Sequence, residues 1–163
     1  MKLLKTFLIS LIYLTTSPVM SQENSSDVIS KNMVTKISPF SVKITMDRII
    51  ALAVEREITI IGRVNHGERA RSVGRDIGEV EVFIGGGSKP DTMYMNIDPR
   101  IGFDLPLKLI VWDDKGVTKI GAISADSFAE RWGLDKESGP VNAQRNALEQ
   151  IMTLIITPET KPK

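Results

Sequence analysis

Cysteine is absent from this chain and histidine occurs once, and those two gaps remove whole classes of chemistry. Disulfide frameworks, thiolate zinc sites, iron–sulfur clusters, covalently attached c-type haem and cysteine nucleophiles all need a thiol. Net charge is lacking too: 21 basic against 20 acidic side chains leave a formal +1. So balanced a chain has no field to gather nucleic acid or an anionic membrane surface. No internal repeat is visible. What remains is ordinary globular material, 163 residues with 42% hydrophobic and 25% charged content, for which one domain is the default.

The first segment reads as an export signal. Lys2 and Lys5 precede the run Phe7-Leu8-Ile9-Ser10-Leu11-Ile12-Tyr13-Leu14, and Ser17-Pro18-Val19-Met20-Ser21 follows it. A basic start, an apolar stretch and small residues before a cleavage point make the three-part secretory pattern. The run is well short of the ~20 residues that span a bilayer, so no stable membrane span is expected once residues 1–21 are cleaved. No cysteine follows, which excludes a lipoprotein. Cleavage removes two lysines and no acid, leaving 19 basic against 20 acidic groups and a slightly acidic, periplasmic or secreted protein.

Residues 22–32 are rich in Ser and Asn and read as a flexible lead-in. Met33–Ile37 has the makings of a strand, and Ser38-Pro39-Phe40-Ser41 ends it. Ser41 is a natural N-cap. Behind it Val42, Met46, Ile49, Ile50, Ala53 and Val54 form one apolar stripe on a helix running to about Glu57. Ile58–His66 alternates as a strand, with His66 on the parity of Ile58, Ile60 and Val64. Gly67–Gly78 is a polar connection, and Glu79–Ile84 alternates again with Val80, Val82 and Ile84 inward. Short helical turns are expected between Asp91 and Pro106. Leu107–Trp112 and Val117–Ser124 flank Asp113-Asp114-Lys115-Gly116 as a hairpin. Asp126–Trp132 is a short helix stopped at Gly133. Pro140 opens a last helix carrying Ala143, Ala147, Leu148, Ile151, Met152, Leu154 and Ile155 on one stripe.

This order predicts an α+β fold, a two-layer arrangement of a mostly antiparallel sheet with two long helices packed on one face. Residues 33–135 form the domain, and 136–163 supply a C-terminal helix and tail. With Val64, Val82, Leu109 and Val111 on the helix side, the other face carries Ile61, Phe83, Ile110, Trp112 and Ile120. Lys108, Glu81 and Thr118 interleave with them. A face that apolar is expected to be covered, by a second copy of the chain or by a small apolar ligand.

Five segments in order carry a resemblance: Ser38-Pro39-Phe40-Ser41, Ile60-Ile61-Gly62-Arg63-Val64-Asn65-His66, Val80-Glu81-Val82-Phe83-Ile84-Gly85, Asp104-Leu105-Pro106-Leu107-Lys108, and Val111-Trp112-Asp113-Asp114. Over roughly Met33 to Leu134 the chain resembles the bacterial domain-of-unknown-function family three-hundred-and-two. The resemblance implies an α+β domain, sometimes exported, with Asp-His where this chain has Asn65-His66. It also implies a methionine on a short helix after the glycine turn, here Met95. Asn65 puts in doubt any role needing a carboxylate beside the histidine, and the last helix looks like an addition to the family pattern.

His66 joined to Met93 and Met95 makes a soft ligand set of the kind that selects cuprous copper, and a His66/Met95 pair would suit non-covalent haem. A strand-end histidine bonded to a backbone carbonyl is the plainer reading of the same residue. An enzyme with His66 as base is a third reading, for which no Gly-x-Ser-x-Gly elbow or other nucleophile motif is present. Arg63, Arg69, Arg71 and Arg75 read as a self-paired, solvated surface. Gly85-Gly86-Gly87 resembles a phosphate loop only loosely, with no helix start expected at the required distance. The expectation is a small exported binding domain without catalytic residues, forming a homodimer or holding an apolar ligand on its second sheet face. Copper or haem is the alternative.

Overall fold

The computed structural model describes residues 31–158. The expected signal segment 1–21 and residues 22–30 of the lead-in lie outside that range, as do residues 159–163. The elements run β1 (Met33–Ile37), α1 (Val42–Glu55), β2 (Thr59–Asn65), α2 (His66–Ser72), β3 (Val80–Gly86), α3 (Ser88–Met95), a 3-10 turn (Pro99–Phe103), β4 (Lys108–Asp114), β5 (Val117–Ile123), α4 (Ala125–Trp132) and α5 (Gly139–Ile156). This is an α+β fold with a five-stranded sheet ordered β1-β5-β4-β3-β2. Every neighbouring pair is antiparallel.

Local signals in the sequence start and stop these elements. The Ser41 hydroxyl accepts from Ile44 N and opens α1, and Ser124 does the same for α4 through Ser127 N. Gly133 closes α4 in the left-handed region at φ 62, where an L side chain is strained. The β4–β5 hairpin turns on Lys115 and Gly116, both at positive φ, and the Asp113 carboxylate accepts from Gly116 N. A two-residue turn with positive φ at both positions matches the right-handed strand twist.

Strands β1 and β2 sit at opposite edges of the sheet, so α1 must cross its face to join them. Its buried side, Val42, Met46, Ile49 and Ala53, meets Phe83, Leu109, Val111, Ile120 and Ala122. Helix α5 brings Leu148, Met152 and Ile155 into the same cluster. The Arg48 guanidinium ties the helices together by donating to the carbonyls of Ile155 and Thr157 at the end of α5, and it lies over the Phe40 ring. Val54 falls outside the stripe and is exposed. Thr45 is wholly buried, with its hydroxyl bonded to Ser38 Oγ and to the Ser41 carbonyl.

The expected face assignment needs correcting on three strands, β2, β3 and β5. Glu81, Phe83 and Gly85 point to the helices, not Val80, Val82 and Ile84. Phe83 and Ile120 are core residues, while Val64 and Val82 lie on the open face. The misleading residue is Glu81. Its charge marks a solvated parity, yet it is 6% exposed, held by Arg63. In register, Val64, Val82, Ile110 and Gly121 form one row across the open face, beside Val80, Trp112 and Lys119. Trp112 lies over Gly121, its ring 3.2 Å from where a Cβ would stand. The open face is therefore apolar, as expected, with a different membership.

Candidate functional site

The two ends of the sheet are chemically unlike. At the end where β2 finishes and β3 starts, the polar residues singled out from the sequence gather around α2. Gly67–Gly78, expected to be a plain connection, contains this two-turn helix. Asn65 is its N-cap, with Oδ1 accepting from Glu68 N at 2.8 Å. Asn caps as well as Asp does, so this position opens α2 without needing a carboxylate. His66 is the first residue of α2 rather than the last of a strand. It is exposed and makes no hydrogen bond among the described residues. Arg63 donates to Glu81 at 2.5 Å and to Asp47 of α1 at 3.0 Å, and Lys43 reaches Asp47 at 2.7 Å. The Lys43 hydrogen bond, with help from Arg63, lowers the Asp47 carboxyl below its ordinary value. Three of these four groups are substantially exposed at the surface, and the chain of charges closes on itself.

Met93 and Met95 are at the other end. They lie on α3, which begins only after β3 has run its seven residues, about 20 Å at the usual rise per residue. Ligand atoms on one metal lie within roughly 2.3 Å of it. His66 and the two methionines therefore lie at opposite ends of β3. The two methionines also part from each other. Met95 Sδ sits against Gly102, while Met93 lines a cleft.

That cleft has a volume of about 1040 Å³. It opens where β3 and β5 end and β4 begins. Its walls are mainly apolar: Leu52 on α1 and Ile58 just after it, Leu107 just before β4, and Ala147, Leu148 and Ile151 on α5. Small side chains make the space. Ala143 and Ala147 belong to the apolar stripe of α5 yet are exposed, because they face the cleft instead of the core. A second cluster closes the far side, where the Tyr94 ring meets Phe128 edge-on at 5.0 Å between centroids. The Tyr94 hydroxyl donates to Gln144 Oε1 at 2.6 Å, and burial raises its phenol above the ordinary value.

The triglycine belongs to this end. A Cβ on Gly85 would lie 2.5 Å from the Phe83 ring and 2.7 Å from the Thr59 carbonyl, and one on Gly86 would lie 2.8 Å from Pro106. Close packing demands these glycines. Helix α3 starts at Ser88, directly after Gly87, three residues before the helical turns expected from Asp91. Asp91, in its first turn, turns its carboxylate toward Gly86, with Oδ2 3.3 Å from the Cβ position there. Burial raises this carboxyl above the ordinary range, with Lys108 pulling the other way. Asp91 and the cleft were missed from sequence. The one available signal was the pairing of an unplaced acid with three glycines and a proline-rich segment.

Comparison with known proteins gives the chain relatives and a fold. A family model described as a domain of unknown function, DUF302, matches residues 34–155, a span that takes in the last helix. The chain is 32% identical over 89 residues to proteins named fluoride-specific ion channel FluC 1 in Brucella suis biovar 1 (strain 1330) and in Brucella abortus biovar 1 (strain 9-941). Those matches cover 55% of this chain and 35% and 33% of the relatives. The chain thus spans about a third of the length of the curated relatives it matches. Among solved structures, an uncharacterized conserved DUF302 protein from Bacillus stearothermophilus superposes with a TM-score of 0.62 at 15% identity, covering 76% of this chain and 94% of that one.

Proposed function

The chain belongs to the DUF302 family, and from that premise we propose that it is a non-enzymatic binding domain whose cleft takes a small apolar ligand. The observation that carries this reading is the cleft itself. Ligand sites are concave, mainly apolar, of roughly 300–1,000 Å³, with a few polar groups that fix orientation. The cleft has about that size and a mainly apolar lining, with Asp91, Lys108 and Gln144 among its polar groups. The ligand thereby moves from the second sheet face, where the alternation alone put it, to the helix side. The FluC relatives are named as fluoride channels. None of this chain's described helices is long and apolar enough to cross a membrane, so those names support only the reading that this fold serves as one module of larger proteins.

Titration with a dye that brightens in apolar surroundings, such as N-phenyl-1-naphthylamine, tests the cleft. The wild-type protein should bind it saturably, and Ala147→Trp, which fills the space from α5, should weaken binding at least tenfold. Saturable binding that Ala147→Trp leaves unchanged would remove the reading.

A second reading rests on the open sheet face, where Val82, Ile84, Ile110 and Trp112 are only partly covered. Self-association through that face would bury them, and light scattering should then give the mass of a dimer that Ile110→Asp dissociates. We further propose export, on the strength of the three-part pattern in residues 1–21. The mature protein would then begin at Gln22 on N-terminal sequencing.

A further inference from the structure

We infer that the ligand of the cleft carries a cationic or ammonium head group, received by the carboxylate of Asp91. The inference rests on the cleft being a ligand site and adds the chemistry of its mouth. Five charged side chains line the cleft: Asp91, Asp104, Lys108, Glu130 and Arg131. Four of them are already engaged. Asp104 accepts from Trp132 Nε1 at 2.9 Å and pairs with Arg131 at 3.0 Å. Glu130 pairs with Lys136 at 2.9 Å. Lys108 Nζ donates to the carbonyls of Asp104 and Pro106 at 2.9 and 3.2 Å. Asp91 stands apart, because its carboxylate has no hydrogen-bond or ion-pair partner among the described residues.

An ionised carboxylate loses hydration when it is partly buried against apolar walls, and a donor is needed to restore that loss. Lys108 is the nearby cation, but its ammonium is turned to the backbone of residues 104–106. The lining as a whole holds three acids against two bases. An alkylammonium compound matches both parts of this surface, with its chain along Leu107, Ala147 and Ile151 and its N–H groups on Asp91. A fatty acid would set carboxylate against carboxylate.

Three ten-carbon probes decide the matter: decylamine, decanol and decanoate, titrated calorimetrically at pH 7 into the wild-type protein, Asp91→Asn and Asp91→Ala. Decylamine should bind the wild type about tenfold more tightly than decanol, the low end for a hydrogen bond to a charged group. Decanoate should bind more weakly than decanol. Both variants should lose the amine preference while keeping the affinity for decanol, which also shows that their cleft is intact. Equal binding of the three probes, or a preference that survives in both variants, overturns the head-group assignment and leaves the apolar cleft standing. Failure of all three probes to bind the wild type overturns the cleft reading and this inference with it.

Discussion

The two ends of the sheet carry charge in opposite ways. At the α2 end Lys43, Asp47, Arg63 and Glu81 satisfy one another. At the cleft end the walls are mainly apolar and one carboxylate, Asp91, has no hydrogen-bond or ion-pair partner among the described residues. The first arrangement spends its charges on holding the fold, because Glu81 faces the helix layer and could not remain there unpaired. The second leaves a charge that the fold does not use. The difference teaches that conspicuous polar residues need not mark a site. Here Arg63, conspicuous in the sequence, is taken up by Glu81 and Asp47, while Asp91, which is not conspicuous, borders the cleft.

Arg63→Ala should break the comparison most severely. It strips the nearly buried Glu81 of its only ion-pair partner among the described residues, and leaving a buried charge unpaired costs several kcal/mol. Arg63 is about a third exposed, and solvent screening reduces the loss to about 2–3 kcal/mol. Urea unfolding should read this as a lower midpoint with little change in slope. The double variant Arg63→Leu with Glu81→Leu should recover most of the loss, since apolar residues then replace the pair. A single variant as stable as the wild type would show that Glu81 is not held by Arg63.

Next in size is the opposite experiment at the other end. Ala147→Trp should weaken ligand binding at least tenfold yet move stability by no more than about 1 kcal/mol, because the position borders open space instead of core. A larger destabilisation would mean that α5 packs more tightly there than the cleft implies.

How much of this was legible in the sequence depends on the range of the interaction. Caps, turns and stripes are local, and Ser41, Gly133, Pro140 and the Lys115-Gly116 turn placed most elements within a residue or two. Asn65 with Glu68 three residues on was an N-cap signal as clear as these, yet α2 was read as a plain connection because His66 drew attention as a strand end. The face of β3 was not local. It turned on whether Glu81 met water or Arg63, and Arg63 is 18 residues away in sequence. The cleft was least legible of all, since it is made by Ala143 and Ala147 facing a gap between elements separated by dozens of residues. An alanine in an apolar stripe looks the same in sequence whether it borders a core or a void.

The two aspartates should also differ in the sign of their pH dependence. The Asp47 carboxyl is lowered by Lys43 and then by Arg63. Its contribution is therefore present above the ordinary value of 3.8 and lost as pH falls through the lower folded value. Asp91 is raised by burial, with Lys108 across from it, Lys89 on its own helix, and Asp104, Glu130 and Arg131 along the cleft. Its ionisation costs stability, and that cost grows as pH rises from 3.8 through the raised folded value. Unfolding free energies from acid to neutral pH should show Asp91→Asn gaining on the wild type and Asp47→Asn losing. Both effects should be smaller than that of Arg63→Ala, and curves that run parallel would remove the distinction.

His66→Ala should change least. The side chain is exposed at the first position of a seven-residue helix, bonded to nothing among the described residues, and a strand's length from the cleft. Substitutions at such positions fall within about 0.5 kcal/mol, and alanine is if anything the better helix former. Thermal unfolding and decylamine affinity should both match the wild type. A loss of affinity would join the two ends of the sheet energetically, and a loss of stability would mean that the imidazole holds α2 to β3. Either result would return to the single histidine the part that its rarity in the sequence first suggested.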